Sequence, residues 1–189
     1  MADHEDARAK VLAAADRLFY GRGYQTVGMD QLRTEAGISL KKLYSLFPSK
    51  DAIIVEVLAR RNRTWNDGIT QATSATTDPA ERLLAIFDFL AGWFAEDDFR
   101  GCAFINSFGE LGATNPDVAT AVRAQKASFQ SFVAGLVADA GAPAALAPQL
   151  ALLAEGAQTT AAISGNPDAA SQARAAAATL IGAALPAAA

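Results

Sequence analysis

Apolar residues recur along this chain at three- and four-residue intervals almost from end to end. Val11, Leu12, Ala15, Leu18 and Phe19 form one stripe of an amphipathic helix that stops at Gly21-Arg22-Gly23. Two short helices follow, Met29 to Ala36 and Ser39 to Phe47, parted by Gly37 and closed by Pro48. Ser49 is placed to cap the next helix, Asp51 favours the positive end of its dipole, and Ile53, Ile54, Val57 and Leu58 give it a buried face. After a polar linker around 71–77, Asp78-Pro79 opens a helix carrying Leu83, Leu84, Ile86, Phe87, Phe89, Leu90, Trp93 and Phe94, apolar enough to be buried on more than one side. Residues 100–112 read as a short helix with Phe104, Phe108 and Leu111 on one face. Asn115-Pro116-Asp117 caps a long helix with Val118, Val122, Gln125, Phe129, Phe132, Val133 and Leu136 at helical spacing. Pro143 opens a helix to about Ile163, and Asn166-Pro167-Asp168 the last, to about Leu185. No run alternates apolar and polar residues between turns, so the fold class is all-α.

Composition narrows the function classes. The chain has 189 residues, 51% of them hydrophobic, with one Cys and one His. That is long enough for a sizeable core and too apolar for disorder. Cys102 has no partner for an internal disulfide and reads as a small buried hydrophobe. With His4 in a polar tail, no metal site is expected, and no cofactor. The acidic start, Met1-Ala2-Asp3-His4-Glu5-Asp6, does not read as a leader, and no run of about 18 apolar residues offers a membrane span, so a cytoplasmic protein is expected. Glu96-Asp97-Asp98 and Glu110 lack an obvious catalytic partner, and no enzyme is expected.

The charge is unevenly spread. Residues 1–64 carry 11 Lys and Arg against 8 Asp and Glu, a net +3, whereas residues 65–189 carry 5 against 12, a net −7. A basic segment on an acidic body is a hint of polyanion binding, although ordinary scatter of surface charge would give as much. Residues 141–189 hold 21 Ala and only 3 charged residues. Small, uncharged helices permit close helix approach, so those at about 143–163 and 167–185 are the candidate homodimer surface; the plainer reading is filler in a monomer core.

The turn Ala36-Gly37-Ile38-Ser39 between two short helices has the layout of a helix-turn-helix, with Leu32, Ala36, Ile38, Leu43 and Leu46 as its buried set. Ser39 caps the second helix and leaves Leu40, Lys41 and Lys42 in its first turn. Lysines there oppose the helix dipole by a few tenths to about 1 kcal/mol each, which is easier to understand if DNA lies in front of them than if they are merely solvated. Tyr44 can offer its hydroxyl to a phosphate, or be a partly exposed core residue. Lys50 stands at a helix start as a phosphate clamp, and Thr26, Gly28 and Met29 can meet the opposite groove wall.

The run from Val11 to Leu58, with Ala14-Ala15-Asp16-Arg17-Leu18-Phe19, Gly21-Arg22-Gly23-Tyr24, Ala36-Gly37-Ile38-Ser39, Leu43-Tyr44-Ser45-Leu46-Phe47 and Ser49-Lys50-Asp51, resembles the N-terminal domain of tetracycline-repressor (TetR) family transcriptional regulators. The chain departs from the family at Gly28, where Thr or Ser is common, at Arg33, where a small residue is common, and at Lys41-Lys42, in place of Gly-Thr. The resemblance implies that Leu40 to Phe47 read bases, that Tyr44 and Lys50 hold phosphates, and that the C-terminal part encloses a small-molecule pocket. Material for such a pocket is Phe87, Trp93, Phe94, Phe104, Asn106, Phe108, Glu110, Gln125, Phe129, Gln158 and Thr159; an aromatic stripe of this kind serves equally well as plain core.

The expected organisation is a helix-turn-helix domain at 1–48, a connecting helix at 49–64 and a helical effector-binding and dimerisation domain at 65–189. The expected function is a ligand-responsive regulator, a repressor that binds a palindromic operator as a homodimer and is released by a small-molecule effector. The rival readings are a helical interaction module and a small all-α enzyme without DNA binding.

Overall fold

A computed structural model describes residues 2–185, which contain nine helices and no strand. These are α1 (Ala2–Arg22), α2 (Met29–Ala36), α3 (Leu40–Leu46), α4 (Lys50–Thr73), α5 (Pro79–Phe94), α6 (Ala103–Leu111), α7 (Pro116–Asp139), α8 (Leu146–Ser164) and α9 (Ala169–Ala184).

Helix starts follow local chemistry where a short polar side chain is available. Ser39 Oγ accepts from Lys42 N–H at 3.1 Å, Asp78 Oδ1 from Glu81 N–H at 2.9 Å, and Asn115 Oδ1 from Val118 N–H at 3.1 Å. Three bounds depart from the sequence reading. Helix α4 continues to Thr73, because Trp65, Ile69 and Thr73 prolong the stripe of Ile54 and Leu58 beneath the polar residues around them. Helix α6 starts at Ala103 rather than near Arg100, since Gly101 turns the chain with φ +84°. Helix α8 starts at Leu146 rather than at Pro143, after tight turns in which Leu146 N–H donates to Pro143 O and Ala147 N–H to Ala144 O.

The chain divides into two compact units, residues 1–63 with 103–124, and residues 64–102 with 125–189. Residues 103–124, which composition alone assigns to the acidic body, thus pack with the basic N-terminal segment. In that first unit Val11, Ala15 and Phe19 of α1 are buried together with Leu32, Leu43, Ile53, Ile54 and Leu58 of α2 to α4, and the Phe19 and Tyr24 rings stack at 5.4 Å. Tyr24 donates its hydroxyl proton to Ala103 O at 3.3 Å, Gln25 N–H donates to Glu110 Oε2 at 2.9 Å, and the Gln25 side-chain amide donates a second hydrogen bond to Glu110 O at 2.6 Å.

The second unit packs α5 against α8 and α9. Its core runs through Leu83, Phe87 and Leu90 of α5, Phe129, Val133 and Val137 of α7, Leu150, Ala154, Ala157 and Ala161 of α8, and Ala170, Ala177 and Ile181 of α9. Burying a side chain such as Phe87 contributes about 1.5–3 kcal/mol, whereas the alanines contribute mainly by letting helix axes approach. Close approach recurs where α4 meets α5: a Cβ on Gly68 would lie 2.7 Å from the Phe89 ring.

Candidate functional site

The α2–turn–α3 unit is built around one glycine. Gly37 adopts φ +67°, its N–H turning back to Thr34 O while Ile38 N–H reaches Arg33 O, and this ends α2 in a left-handed cap. At the other end of α2, Gly28 N–H donates to the Gln31 side chain at 2.9 Å, the return half of a capping box; Gly28 itself has no side-chain oxygen to accept from the helix's first N–H groups, as Thr or Ser would. Arg33 bends along its own helix to Asp30, Nε to Oδ1 2.7 Å, and so stays clear of the turn.

Helix α3 is two-faced. Leu43 and Leu46 are buried, while Leu40 is 40% and Tyr44 51% exposed, with Lys41 and Ser45 also exposed and Lys42 half-buried. Leu40 and Tyr44 are one turn apart and share a face. The helix is held from behind by Arg8 of α1, whose guanidinium donates to Leu46 O at 2.8 Å, stacks 4.3 Å over the Phe47 ring and pairs with Glu56 of α4. Sequence reading counted Arg8 only as charge; its register three residues ahead of buried Val11 was the available signal.

Thr26 and Gly28 are exposed and Met29 half-buried at the start of α2, and Ser39 is exposed at the N-cap of α3. Lys50 is placed differently from a free clamp: its ammonium donates to Val27 O at 2.8 Å and Gln25 O at 3.4 Å, tying the first turn of α4 to the loop before α2. Several other cations of the segment are paired within it, Arg17 with Glu35 at 2.9 Å and Arg61 with Asp16, the Arg61 guanidinium also lying 3.9 Å over the Tyr20 ring.

The residues named for an effector pocket fall into three groups. Phe87, Phe94, Phe129, Gln125 and Gln158 are buried in the second unit, with Trp93 half-buried there. Phe104, Asn106, Phe108 and Glu110 lie in the first unit: Phe104 is buried, Asn106 half-buried, Phe108 41% exposed with Arg123 5.9 Å from its ring, and Glu110 is engaged by Gln25. Thr159 is exposed on α8, donating to Glu155 O.

Trp65 was missed by the sequence reading, which ended the connecting helix at 64. It meets Phe89 at 5.2 Å, Trp93 at 5.4 Å and Phe129 at 5.9 Å, edge to face, and Trp93 passes the cluster on to Phe99 at 5.2 Å. The signal was its spacing, seven residues after Leu58 and four before Ile69. Cys102 is buried with Lys126 Nζ 3.6 Å from its sulfur, and Lys126 is paired with Glu155.

Comparison with known proteins covers both units. Residues 11–57 match the family described as bacterial regulatory proteins, tetR family, and residues 79–177 match the tetracyclin repressor-like C-terminal domain. The HTH-type transcriptional activator FasR of Mycolicibacterium smegmatis is 33% identical over 153 residues, 78% of this chain and 67% of FasR. The HTH-type transcriptional regulator LmrA of Bacillus subtilis is 34% identical over 98 residues, 51% of this chain and 52% of LmrA, so this match spans about half of that relative's length. Among solved structures, SCO4454 of Streptomyces coelicolor, described as a TetR-family transcriptional regulator, superposes with a TM-score of 0.90 at 26% identity, covering 96% of this chain and 97% of its own.

Proposed function

The chain belongs to the tetR family of bacterial regulatory proteins, and from that premise we propose that it is a ligand-responsive transcriptional regulator that grips a palindromic operator as a homodimer. The observation that supports this best is the outward face of α3, where Leu40 and Tyr44 stand exposed beside Lys41 on a helix whose other side is fully buried. Folding gains nothing from that exposure. A major groove does: Leu40 meets a thymine methyl, Lys41 and Lys42 reach guanine acceptors or phosphates, and the Tyr44 hydroxyl donates to a phosphate. Ser39, Thr26, Gly28 and Met29 border the same groove. Lys50 sets the height of the 25–28 loop through its two carbonyl bonds and keeps one N–H for a phosphate.

In this reading residues 1–48 read DNA, 49–64 connect, and the remainder senses and dimerises, except that α6 is bonded to the reading part through Glu110 and Ala103. The dimer forms on the outward face of α8 and α9, where Leu152 is 72% and Ile163 83% exposed, with Gly156 and Thr159 between them and Ala175, Ala176 and Thr179 exposed on α9. Ala161 faces the core instead and takes no part. The effector site uses Trp65, Phe87, Trp93, Gln125, Phe129 and Gln158 of the second unit, and Phe108, Glu110 and Thr159 are engaged elsewhere. No described helix is long and apolar enough to cross a membrane, and the work is done in the cytoplasm, where the DNA is. The reading involves no enzymatic step, in keeping with relatives named as transcriptional regulators.

Regulation follows by linkage. An effector that prefers one separation of the two reading heads weakens operator binding, and the operator weakens effector binding by the same factor, typically ~1–3 kcal/mol or 5- to 150-fold. Whether occupancy represses or activates depends on where the operator lies relative to the promoter. The test is mobility-shift binding to duplexes selected from a random pool, across a salt series. Specific binding with a steep salt slope is expected; no preference over random duplex at low salt overturns the reading.

A further inference from the structure

Two glutamines stand inside the second unit with hydrogen-bonding capacity that the described residues do not meet. Gln125 of α7 is 5% exposed and Gln158 of α8 is 2% exposed, and the Oε1 atom of each has no donor among the described residues. The orientation of Gln158 is fixed by its own amide nitrogen, which donates to Ala154 O at 3.2 Å, so the carbonyl end is the one left over. An unmet buried carbonyl is destabilising, and an apolar side chain of the same size would simply extend the core around it, so stability does not account for amides at these positions.

Their surroundings describe what would account for them. Gln125 lies one turn before Phe129, whose ring meets Trp65, which in turn meets Trp93. Gln158 lies between Ala154 and Ala161 on the core side of α8. Lys126 and Glu155, next to the one glutamine and one turn from the other, pair at 3.6 Å, so α7 and α8 are tied at this level and the two charges answer each other. No charged side chain is buried among the described residues; the buried polar ones are Thr73, Ser107, Gln125 and Gln158, and the hydroxyls of Thr73 and Ser107 already donate to Ile69 O and Phe104 O.

We infer that the effector is an uncharged, largely apolar molecule that donates two hydrogen bonds, one to Oε1 of Gln125 and one to Oε1 of Gln158. Hydroxyl or N–H groups on an aromatic or alicyclic frame meet that description. A carboxylate brings a charge for which this interior holds no buried counter-ion among the described residues, and an ether at Gln158, whose amide nitrogen is already committed to Ala154 O, sets acceptor against acceptor. The inference rests on the effector site proposed above and adds the chemistry of its ligand.

The experiment is a thermal-shift titration of the full chain with matched triplets of probes, naphthalene, biphenyl and decalin frames each presented as dihydroxy, dimethoxy and dicarboxylate compounds. Dihydroxy members are expected to raise the unfolding midpoint with concentration and to change Trp65 and Trp93 emission, their dimethoxy partners to bind at least about tenfold more weakly, and the dicarboxylates to have no effect. In the double variant Gln125→Met with Gln158→Met, the ligand-free midpoint rises by a few degrees and the preference for dihydroxy over dimethoxy is lost. Dimethoxy or dicarboxylate compounds binding wild type as well as dihydroxy ones would overturn the inference and leave the effector site standing. A lower ligand-free midpoint in the double variant overturns it too. If no member of any triplet moves the midpoint or the tryptophan emission, the effector site is wrongly placed and the inference falls with it.

Discussion

Helices α3 and α8 both turn large apolar side chains outward, and they differ in what stands beside them. On α3, Leu40 and Tyr44 keep company with Lys41 and Lys42 on a helix of 7 residues. On α8, Leu152 and Ile163 sit on a 19-residue helix whose one charged residue, Glu155, is half-buried against Lys126. The first surface suits a partner that is itself highly charged and hydrated; the second suits a partner as apolar and uncharged as itself, which a second copy of the same helix supplies. An exposed leucine alone tells little about a partner. The charges within one turn of it tell more.

That contrast is broken most severely by giving α8 the character of α3. Leu152→Glu with Ile163→Glu places two carboxylates where the proposed dimer closes, at a cost of several kcal/mol per buried charge. Light scattering is expected to report the 19.6 kDa monomer, with helix content unchanged because both side chains are exposed in the single chain. A dimer that survives would remove α8 from the interface.

The converse change strips α3. Lys41→Ala with Tyr44→Ala removes one groove contact and one phosphate contact from each protomer, each worth about 1–3 kcal/mol, so specific operator affinity should fall by about 100-fold or more, and loss of the two Lys41 charges of the dimer should flatten the salt slope by up to about two units. Mass and unfolding midpoint should not move, and a loss of helix content would instead show that Tyr44 belongs to the core.

Gly37→Ala separates the turn from the surfaces it carries. Nothing lies within 4 Å of the added Cβ, so the cost is the left-handed backbone alone, about 1–2 kcal/mol, visible as a drop of a few degrees in the midpoint. Asp88→Asn is the smallest change. It weakens the exposed pair that Arg174 makes with Asp88 at 2.7 Å, worth under about 1 kcal/mol, and should leave both DNA binding and dimer mass where they are.

Much of the helical framework was legible because its signals are local. Ser39, Asp78 and Asn115 each cap the helix they precede within three residues, and Gly37 ends α2 through its own dihedral angles. The candidate DNA face was legible for the same reason: on seven residues, burying Leu43 and Leu46 leaves Leu40, Lys41 and Tyr44 outside. The continuation of α4 to Thr73 was less so, since Arg63, Asn66 and Asp67 mask a stripe that needs only Trp65, Ile69 and Thr73 to persist.

On α8 hydropathy is a poor guide from Leu152 onward. It would bury Leu152 and Ile163 and expose alanine, yet Ala154, Ala157 and Ala161 are inside and the two large residues outside. Helix α8 packs against α5 and α9, with Leu146 and Leu150 filling the core near its start and mainly alanine meeting its neighbours from Ala154 to Ala161.

By itself, then, the sequence determined that this chain is all-helical, where most of its helices begin, and that a helix-turn-helix with two lysines at the start of its second helix stands near the chain's start, because capping, backbone dihedral preference and the 3.6-residue period act within a few residues. Only the tertiary structure decided that Glu110 serves the 23–25 loop, that Lys50 holds backbone carbonyls, that Trp65 belongs to the aromatic cluster, and that the Oε1 atoms of Gln125 and Gln158 are buried with no donor among the described residues. Those facts depend on which surfaces meet across tens of residues of chain, and contact at that range is set by how whole helices pack, which no local pattern records.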